Sequence, residues 1–113
     1  MSKSAIVKSS GVIEFKSLDN LQDLQKTVGG HIEAIYCQDF GSGYVNEEGK
    51  LENLPVNIIA TLIWAKTNKW KKVEDILCGD VIFTGEVDKE GNTKDISDKF
   101  MELILQFDRI VNK

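Results

Sequence analysis

The hydrophobic pattern of this sequence changes its period at the glycine pair Gly29-Gly30. Before the pair, apolar residues recur every three or four positions over residues 18–28, which predicts an amphipathic helix that Asp19 or Asn20 caps and Gly29 ends. After the pair, residues 32–37 carry apolar side chains on both alternating faces, which predicts a strand that is covered on both sides. A helix followed by such a strand favours an α+β domain.

Further segments carry their own secondary-structure signals. β-favouring runs at 5–8 and 11–15 are split by Ser-Ser-Gly, which predicts a first strand interrupted by a turn or bulge. A strand at 44–46 and the turn residue Gly49 predict a hairpin that returns through Lys50-Leu51, and residues 80–85 are the strongest strand signal. Pro55 predicts the first turn of a helix over 55–66, and Ser97 caps another over 97–111. We therefore expect one α+β domain over residues 1–113, with a mostly antiparallel or mixed sheet and about three helices.

Composition narrows the class of protein. The 113 residues are enough for one domain with its own core, and 42% hydrophobic and 28% charged residues are typical of globular proteins. A formal net charge of −4 argues against nucleic acid as a partner. The sequence has neither a stretch of roughly 20 apolar residues that would span a bilayer nor an apolar leader at residues 1–5. We expect a cytoplasmic protein, in the host cell if it is phage-encoded, and no membrane partner.

The metal-binding and nucleophilic residue types are few. Cys37 lies in the predicted strand and Cys78 beside a glycine turn, without the Cys-x-x-Cys or Cys/His spacing that chelates zinc. We expect both thiols to be reduced and unbridged, and we expect neither a metal nor a cofactor. His31 is the single histidine, so an enzyme would have to use His31 and Glu33 as its acid–base groups. Catalysis is therefore the third-ranked class of function.

Three segments, taken in order, carry a family resemblance. They are Val28-Gly29-Gly30-His31-Ile32-Glu33, then Val45-Asn46-Glu47-Glu48-Gly49-Lys50-Leu51, then Leu54-Pro55-Val56-Asn57. This series resembles a family of small proteins from bacteriophages and mobile elements that is catalogued as a domain of unknown function. The resemblance covers residues 21–98 and brings no established reaction.

The same segments contain the candidate ligand-binding residues. Amides and phenols can read the edge of a nucleobase or the hydroxyls of a ribose, and a glycine lets a ligand approach the backbone. Capping of local backbone is the alternative role for both amides, and Glu33 can be ion-paired, exposed on an edge or held at a raised pKa. The candidates are Gly30, Glu33, Tyr36, Tyr44, Asn46 and Asn57.

Two tryptophans and a lysine run form a separate cluster. Trp64 and Trp70 alternate with Lys66, Lys69, Lys71 and Lys72, a pattern that binds anions or single-stranded nucleic acid by stacking and charge. The alternative is a solvated helix end whose tryptophans cover the core, and the acidity of the chain favours that alternative.

Two classes of function lead. The first is a non-enzymatic phage or mobile-element accessory protein that binds a small ligand, in one version a nucleotide-derived immune signal that it sequesters. The second is a protein–protein interaction module that masks or inhibits a host defence protein through acidic hairpins and the terminal helix. Because Phe100, Ile104 and Phe107 give that helix a wide apolar face, we also expect a homo-oligomer.

Overall fold

The five strands that the structure defines join a single antiparallel sheet. The structure, a computed structural model, describes residues 2–112. The strands are β1 (Ser2–Val7), β2 (Ile13–Leu18), β3 (Ile32–Tyr36), β4 (Ser42–Asn46) and β5 (Val81–Thr84), and the α-helices are α1 (Leu21–Val28), α2 (Ile58–Thr67) and α3 (Asp98–Val111). The strand order is β2-β1-β5-β4-β3, so β2 and β3 are the edges. This arrangement confirms the predicted α+β class.

The helices cover both faces of the sheet. Side chains alternate along β1, so that Ala5 and Val7 join the core beneath α2 and α3, while Ile6 joins the smaller core beneath α1. Phe100 of α3 reaches the central strand, where its ring centroid lies 5.3 Å from that of Phe83. Every residue of β5 is buried, which explains why this strand carried the clearest sequence signal.

Several predicted elements differ in the structure. The two runs expected to form one interrupted first strand are separate strands, β1 and β2, which pair antiparallel with each other. Helix α2 begins at Ile58 with Asn57 as its N-cap, so Pro55 precedes the helix instead of lying in its first turn.

The first helix begins at Leu21 rather than at residue 18, because Leu18 still pairs with Ser2 at the end of β2. Asn20 is the residue that caps it, through a hydrogen bond from the Asp23 N–H, and Gly29 ends it at φ 82°.

The prediction of a returning strand at Lys50-Leu51 is wrong. Strand β4 already pairs with β3 on one side and with β5 on the other, so it has no free edge for a third strand. The chain instead forms turns over residues 47–53, closed by hydrogen bonds such as that from the Leu54 N–H to the Gly49 carbonyl at 3.0 Å.

The start of α2 is fastened by the side chain of Asn57, which is only 1% exposed. Its Oδ1 accepts from the Ala60 N–H at 3.0 Å. Its Nδ2 donates to the carbonyls of Val7 and Gly79, both at 2.8 Å. One amide therefore caps α2 and ties it to β1 and to the segment that precedes β5.

The apolar face of α3 packs inside the chain itself. Phe100 and Ile104 are 0% exposed in the core beneath the sheet, and Phe107 is partly buried against it. The feature that suggested a homo-oligomer is thus covered within one chain, and the oligomeric state stays a prediction. Across residues 2–112, no helix is long and apolar enough to cross a membrane.

Replacing Asn57 by alanine should lower the free energy of unfolding by more than about 2 kcal/mol, because one buried donor and two buried acceptors lose their partner. The matched control is Asn20→Ala, which removes an exposed cap of the same residue type and should cost about 1 kcal/mol. Urea denaturation followed by circular dichroism measures both. Equal losses in the two variants would contradict the structural role given to Asn57.

Candidate functional site

A groove of about 610 Å³ lies against the open edge of the sheet. We call it the edge groove. It is lined by residues 33–36 of β3, by Trp64 and Asn68 at the end of α2, by Trp70, by residues 45–47 and 49–51, and by residues 75–78. Its volume falls within the range of small-molecule sites in proteins.

The register of β3 decides which backbone groups face the groove. The Glu47 N–H donates to the His31 carbonyl at 2.8 Å, and the Cys37 N–H donates to the Gly41 carbonyl at 3.0 Å, so the odd-numbered residues bond to β4. In an antiparallel pair the alternate residues direct their N–H and C=O away from the partner. Ala34 is one of them, and among the described residues no hydrogen bond from another element reaches its backbone. The groove thus contains a free main-chain donor and acceptor side by side.

The neighbouring carbonyl, that of Tyr36, is occupied. It accepts a hydrogen bond from Trp64 Nε1 and another from Asn68 Nδ2, each at 3.0 Å. The Trp70 ring packs on Trp64 at 4.8 Å between centroids and 62° between planes. These contacts hold two indole rings in fixed positions beside the edge strand.

Charges are distributed unevenly around the edge groove. Lys50 Nζ lies 2.6 Å from Asp75 Oδ1. The hydrogen bond between them lowers the pKa of Asp75 and raises the pKa of Lys50. Glu33 and Glu47 are exposed, whereas Trp70 is flanked in the chain by exposed lysines at 69, 71 and 72. Glu33, Glu47 and the Lys50–Asp75 pair are thus the charged residues of the groove lining, and the lysines next to Trp70 lie outside that lining.

Three of the six predicted site residues line this groove. Glu33 is exposed on the edge strand, and Tyr36 is 74% exposed. Asn46 is 6% exposed, and its Nδ2 donates to the Val28 carbonyl and to Glu52 Oε1, both at 3.2 Å. Its Oδ1 accepts from the Glu48 N–H at 2.8 Å. The Asn46 amide is therefore engaged with the protein, as its alternative capping role implies.

The other three predicted residues lie outside the edge groove. Gly30 makes room for Asn46, since a Cβ at position 30 would lie 3.0 Å from Asn46 Nδ2. Tyr44 faces the α1 side of the sheet, where its hydroxyl lies 3.2 Å from Thr93 Oγ1. Asn57 is buried at the start of α2. We do not place these three in the groove.

Of the groove residues that the predicted site did not include, four supply the indole rings, their fastening and the free backbone. They are Ala34, Trp64, Asn68 and Trp70. The sequence contained a reason to consider the tryptophans, because Trp64 and Trp70 lie six positions apart at the end of a helix. Side chains of this size are rarely both fully buried, so partly exposed indole rings were to be expected there. Nothing in the sequence singled out Ala34, since it contributes its backbone N–H and C=O and not its side chain.

Cys37 is not available as a nucleophile in the folded protein. Burial raises the pKa of its thiol to about 12, against an opposing hydrogen bond with Thr67. A protonated thiol is a poor nucleophile. Both cysteines are free and buried, in agreement with the expectation of unbridged thiols.

Ionisation of the Cys37 thiol in the unfolded state should lower the free energy of unfolding in alkaline solution. The pKa is about 12 in the folded state and 9.0 in the unfolded reference, so the stabilisation is fully present below pH 9 and is lost as the pH rises towards 12. We expect the difference in unfolding free energy between the wild type and Cys37→Ala to shrink by about 1 kcal/mol between about pH 8 and about pH 10. Urea titrations at the two pH values measure it. A constant difference would contradict the burial of this thiol.

A family model described as a domain of unknown function, DUF3846, matches residues 2–108. No curated protein and no solved structure matches the chain. The family match confirms the expected membership in a family of unknown function. Because it spans nearly all of the chain, the protein belongs to the DUF3846 family.

Proposed function

We propose that the protein is a non-enzymatic binding protein whose edge groove holds a nucleotide. The observation that carries this proposal is the free backbone N–H and C=O of Ala34 beside two fixed indole rings. A planar ring with hydrogen-bonding groups on its edge can stack on an indole and bond to the Ala34 backbone at the same time.

The indole rings of Trp64 and Trp70 supply the part of the affinity that does not depend on which base is bound. Stacking of a base on an aromatic side chain contributes about 1–3 kcal/mol, and every nucleobase has a π face. Trp64 and Trp70 are held by the Tyr36 carbonyl and by each other, so little side-chain freedom is lost when a ring stacks on them.

The edge strand supplies the polar contacts. Nucleobases present an adjacent donor and acceptor on their pairing edges, which match the N–H and C=O of Ala34. The amides of Asn46 and Asn68 already bond to the protein, so the main chain takes the role that the sequence suggested for an asparagine side chain. The methyl side chain of Ala34 leaves a ring free to approach.

The charge distribution orients the ligand. Glu33 and Glu47 are acidic neighbours of the base and repel a phosphate. The lysines around Trp70 attract one. In the proposed complex the base lies at the sheet edge and the phosphate points towards Trp70 and its flanking lysines.

As the biological role, we propose that the protein is an accessory factor of a phage or mobile element that sequesters a nucleotide-derived immune signal in the host cytoplasm. Sequestration requires only a tight stoichiometric complex. A groove built from stacking rings and main-chain groups meets that requirement.

Binding should quench the intrinsic tryptophan fluorescence, because both tryptophans of the chain line the groove. The titrants are AMP, ADP-ribose and cyclic di-AMP, and thermal melting is recorded beside fluorescence. For a titrant that binds, a concentration 100 times the dissociation constant adds about 2.7 kcal/mol of stability. Trp70→Ala should weaken binding at least about tenfold, whereas Trp70→Phe, which keeps a ring, should weaken it less.

Ala34→Pro tests the main-chain contact. It deletes an N–H that is free in the unliganded protein, on an edge strand where proline is tolerated. Ala34→Val keeps the N–H and is the control. We expect loss of nucleotide binding in the proline variant alone, with both variants folded. Normal binding by Ala34→Pro would remove the edge strand from the site, and no response to any titrant would reject the nucleotide.

A protein partner is the alternative, and one observation favours it. Leu51 is 83% and Ile76 is 40% exposed, and both line the groove beside the open edge of β3. An extended peptide from a host defence protein could add a strand there and place an apolar side chain between them. Recovery of a host protein that Ala34→Pro fails to bind, without any nucleotide response, would favour this alternative.

A further inference from the structure

A second cavity, of about 670 Å³, lies on the α1 face of the sheet. We call it the α1-face pocket. Ser4, Tyr44 and Thr84 from three different strands lie at its base, and α1 and residues 91–95 contribute to its lining. It shares no residue with the edge groove.

Ser4 is the unusual residue of this pocket. It is 1% exposed, and of the buried side-chain polar atoms in residues 3–112 its Oγ alone has no hydrogen-bond partner. Ala5 and Val7 lie on the opposite face of β1, in the core beneath α2 and α3, whereas Ile6, two residues after Ser4, packs on the α1 side. The Ser4 hydroxyl is therefore directed towards the pocket. An unpaired buried hydroxyl destabilises a fold, so a group that completes its hydrogen bonding is expected from outside the chain.

The groups around Ser4 are neutral hydroxyls. Thr84 Oγ1 donates to the Gly85 carbonyl at 2.9 Å, which leaves its oxygen able to accept. The Tyr44 hydroxyl and Thr93 Oγ1 are 3.2 Å apart. Leu18 and Leu24 add an apolar wall. The buried part of the pocket thus combines hydroxyl groups with aliphatic surface, whereas the charged residues of its lining, Asp19, Lys94 and Asp95, are exposed.

We propose that the α1-face pocket binds an uncharged, polyhydroxylated ring of the monosaccharide class, with one ligand hydroxyl bonded to Ser4 Oγ. A charged group would be desolvated against the neutral base of the pocket, whereas a sugar hydroxyl both donates and accepts there. The C–H face of a sugar ring matches the leucine wall. At the rim, Asp19 and Asn92 supply a carboxylate and an amide for the remaining hydroxyls.

The test is NMR titration of the methyl groups of Leu18 and Leu24 with D-ribose, D-glucose, N-acetyl-D-glucosamine and myo-inositol. We expect saturable shifts of these methyl signals with at least one probe. Ser4→Ala should reduce the affinity at least about tenfold while leaving the melting temperature equal or higher, because the unpaired hydroxyl is gone. Ser17→Ala, an exposed serine on β2, is the matched control and should bind normally.

A second variant avoids the interior of the protein. Leu21 is 55% exposed and lines the pocket, so Leu21→Gln should weaken binding without loss of fold. Absence of methyl shifts with all four probes, or unchanged affinity in Ser4→Ala, would overturn the proposal. Either result leaves the nucleotide proposal intact, because tryptophan fluorescence reports on the edge groove alone.

Discussion

Helix α2 is held at each end by an asparagine side chain, and the edge groove depends on both attachments. Asn57 caps the first turn and bonds to the carbonyls of Val7 and Gly79. Asn68, at the other end, donates to the Tyr36 carbonyl and to the Trp64 carbonyl, both at 3.0 Å. The first attachment sets the position of the helix over the sheet, and the second brings Trp64 against the edge strand. Together with the hydrogen bond from Trp64 Nε1 to the Tyr36 carbonyl, these attachments place the indole rings and the free backbone of Ala34 around the same groove.

The sequence predicted the fold where the signal was local. A helical period, a capping asparagine and a glycine at positive φ are properties of short segments, and α1, α2 and α3 were found close to the predicted positions. The strand expected at Lys50-Leu51 failed because pairing is not local: whether β4 has a free edge depends on β5, which lies far along the chain. The extension of β2 to Leu18 was also missed because it depends on pairing, since the partner of Leu18 is Ser2 at the start of β1.

The candidate site was predicted only in part, because it too depends on which strands are neighbours in the sheet. Glu33, Tyr36 and Asn46 share the groove because adjacent strands bring them together. For Asn46 and Asn57 the sequence left capping and recognition as alternatives, and the hydrogen bonds of both amides go to the protein. The contribution of Ala34 has no side-chain signature, since only the strand order leaves its backbone at an edge. The proposed recognition therefore rests on topology rather than on a motif.

Hydrogen exchange at the backbone amide of Ala34, with and without a bound nucleotide, tests the proposed recognition most directly. In the free protein this N–H has no partner on the open edge, so it should exchange rapidly, unlike the amides of Glu33 and Ile35 that pair with β4. With AMP bound, the Ala34 amide should become protected while the amides of Glu33 and Ile35 keep their exchange rates. Slow exchange of Ala34 in the free protein, or unchanged rapid exchange in a saturated complex, would contradict the proposed recognition.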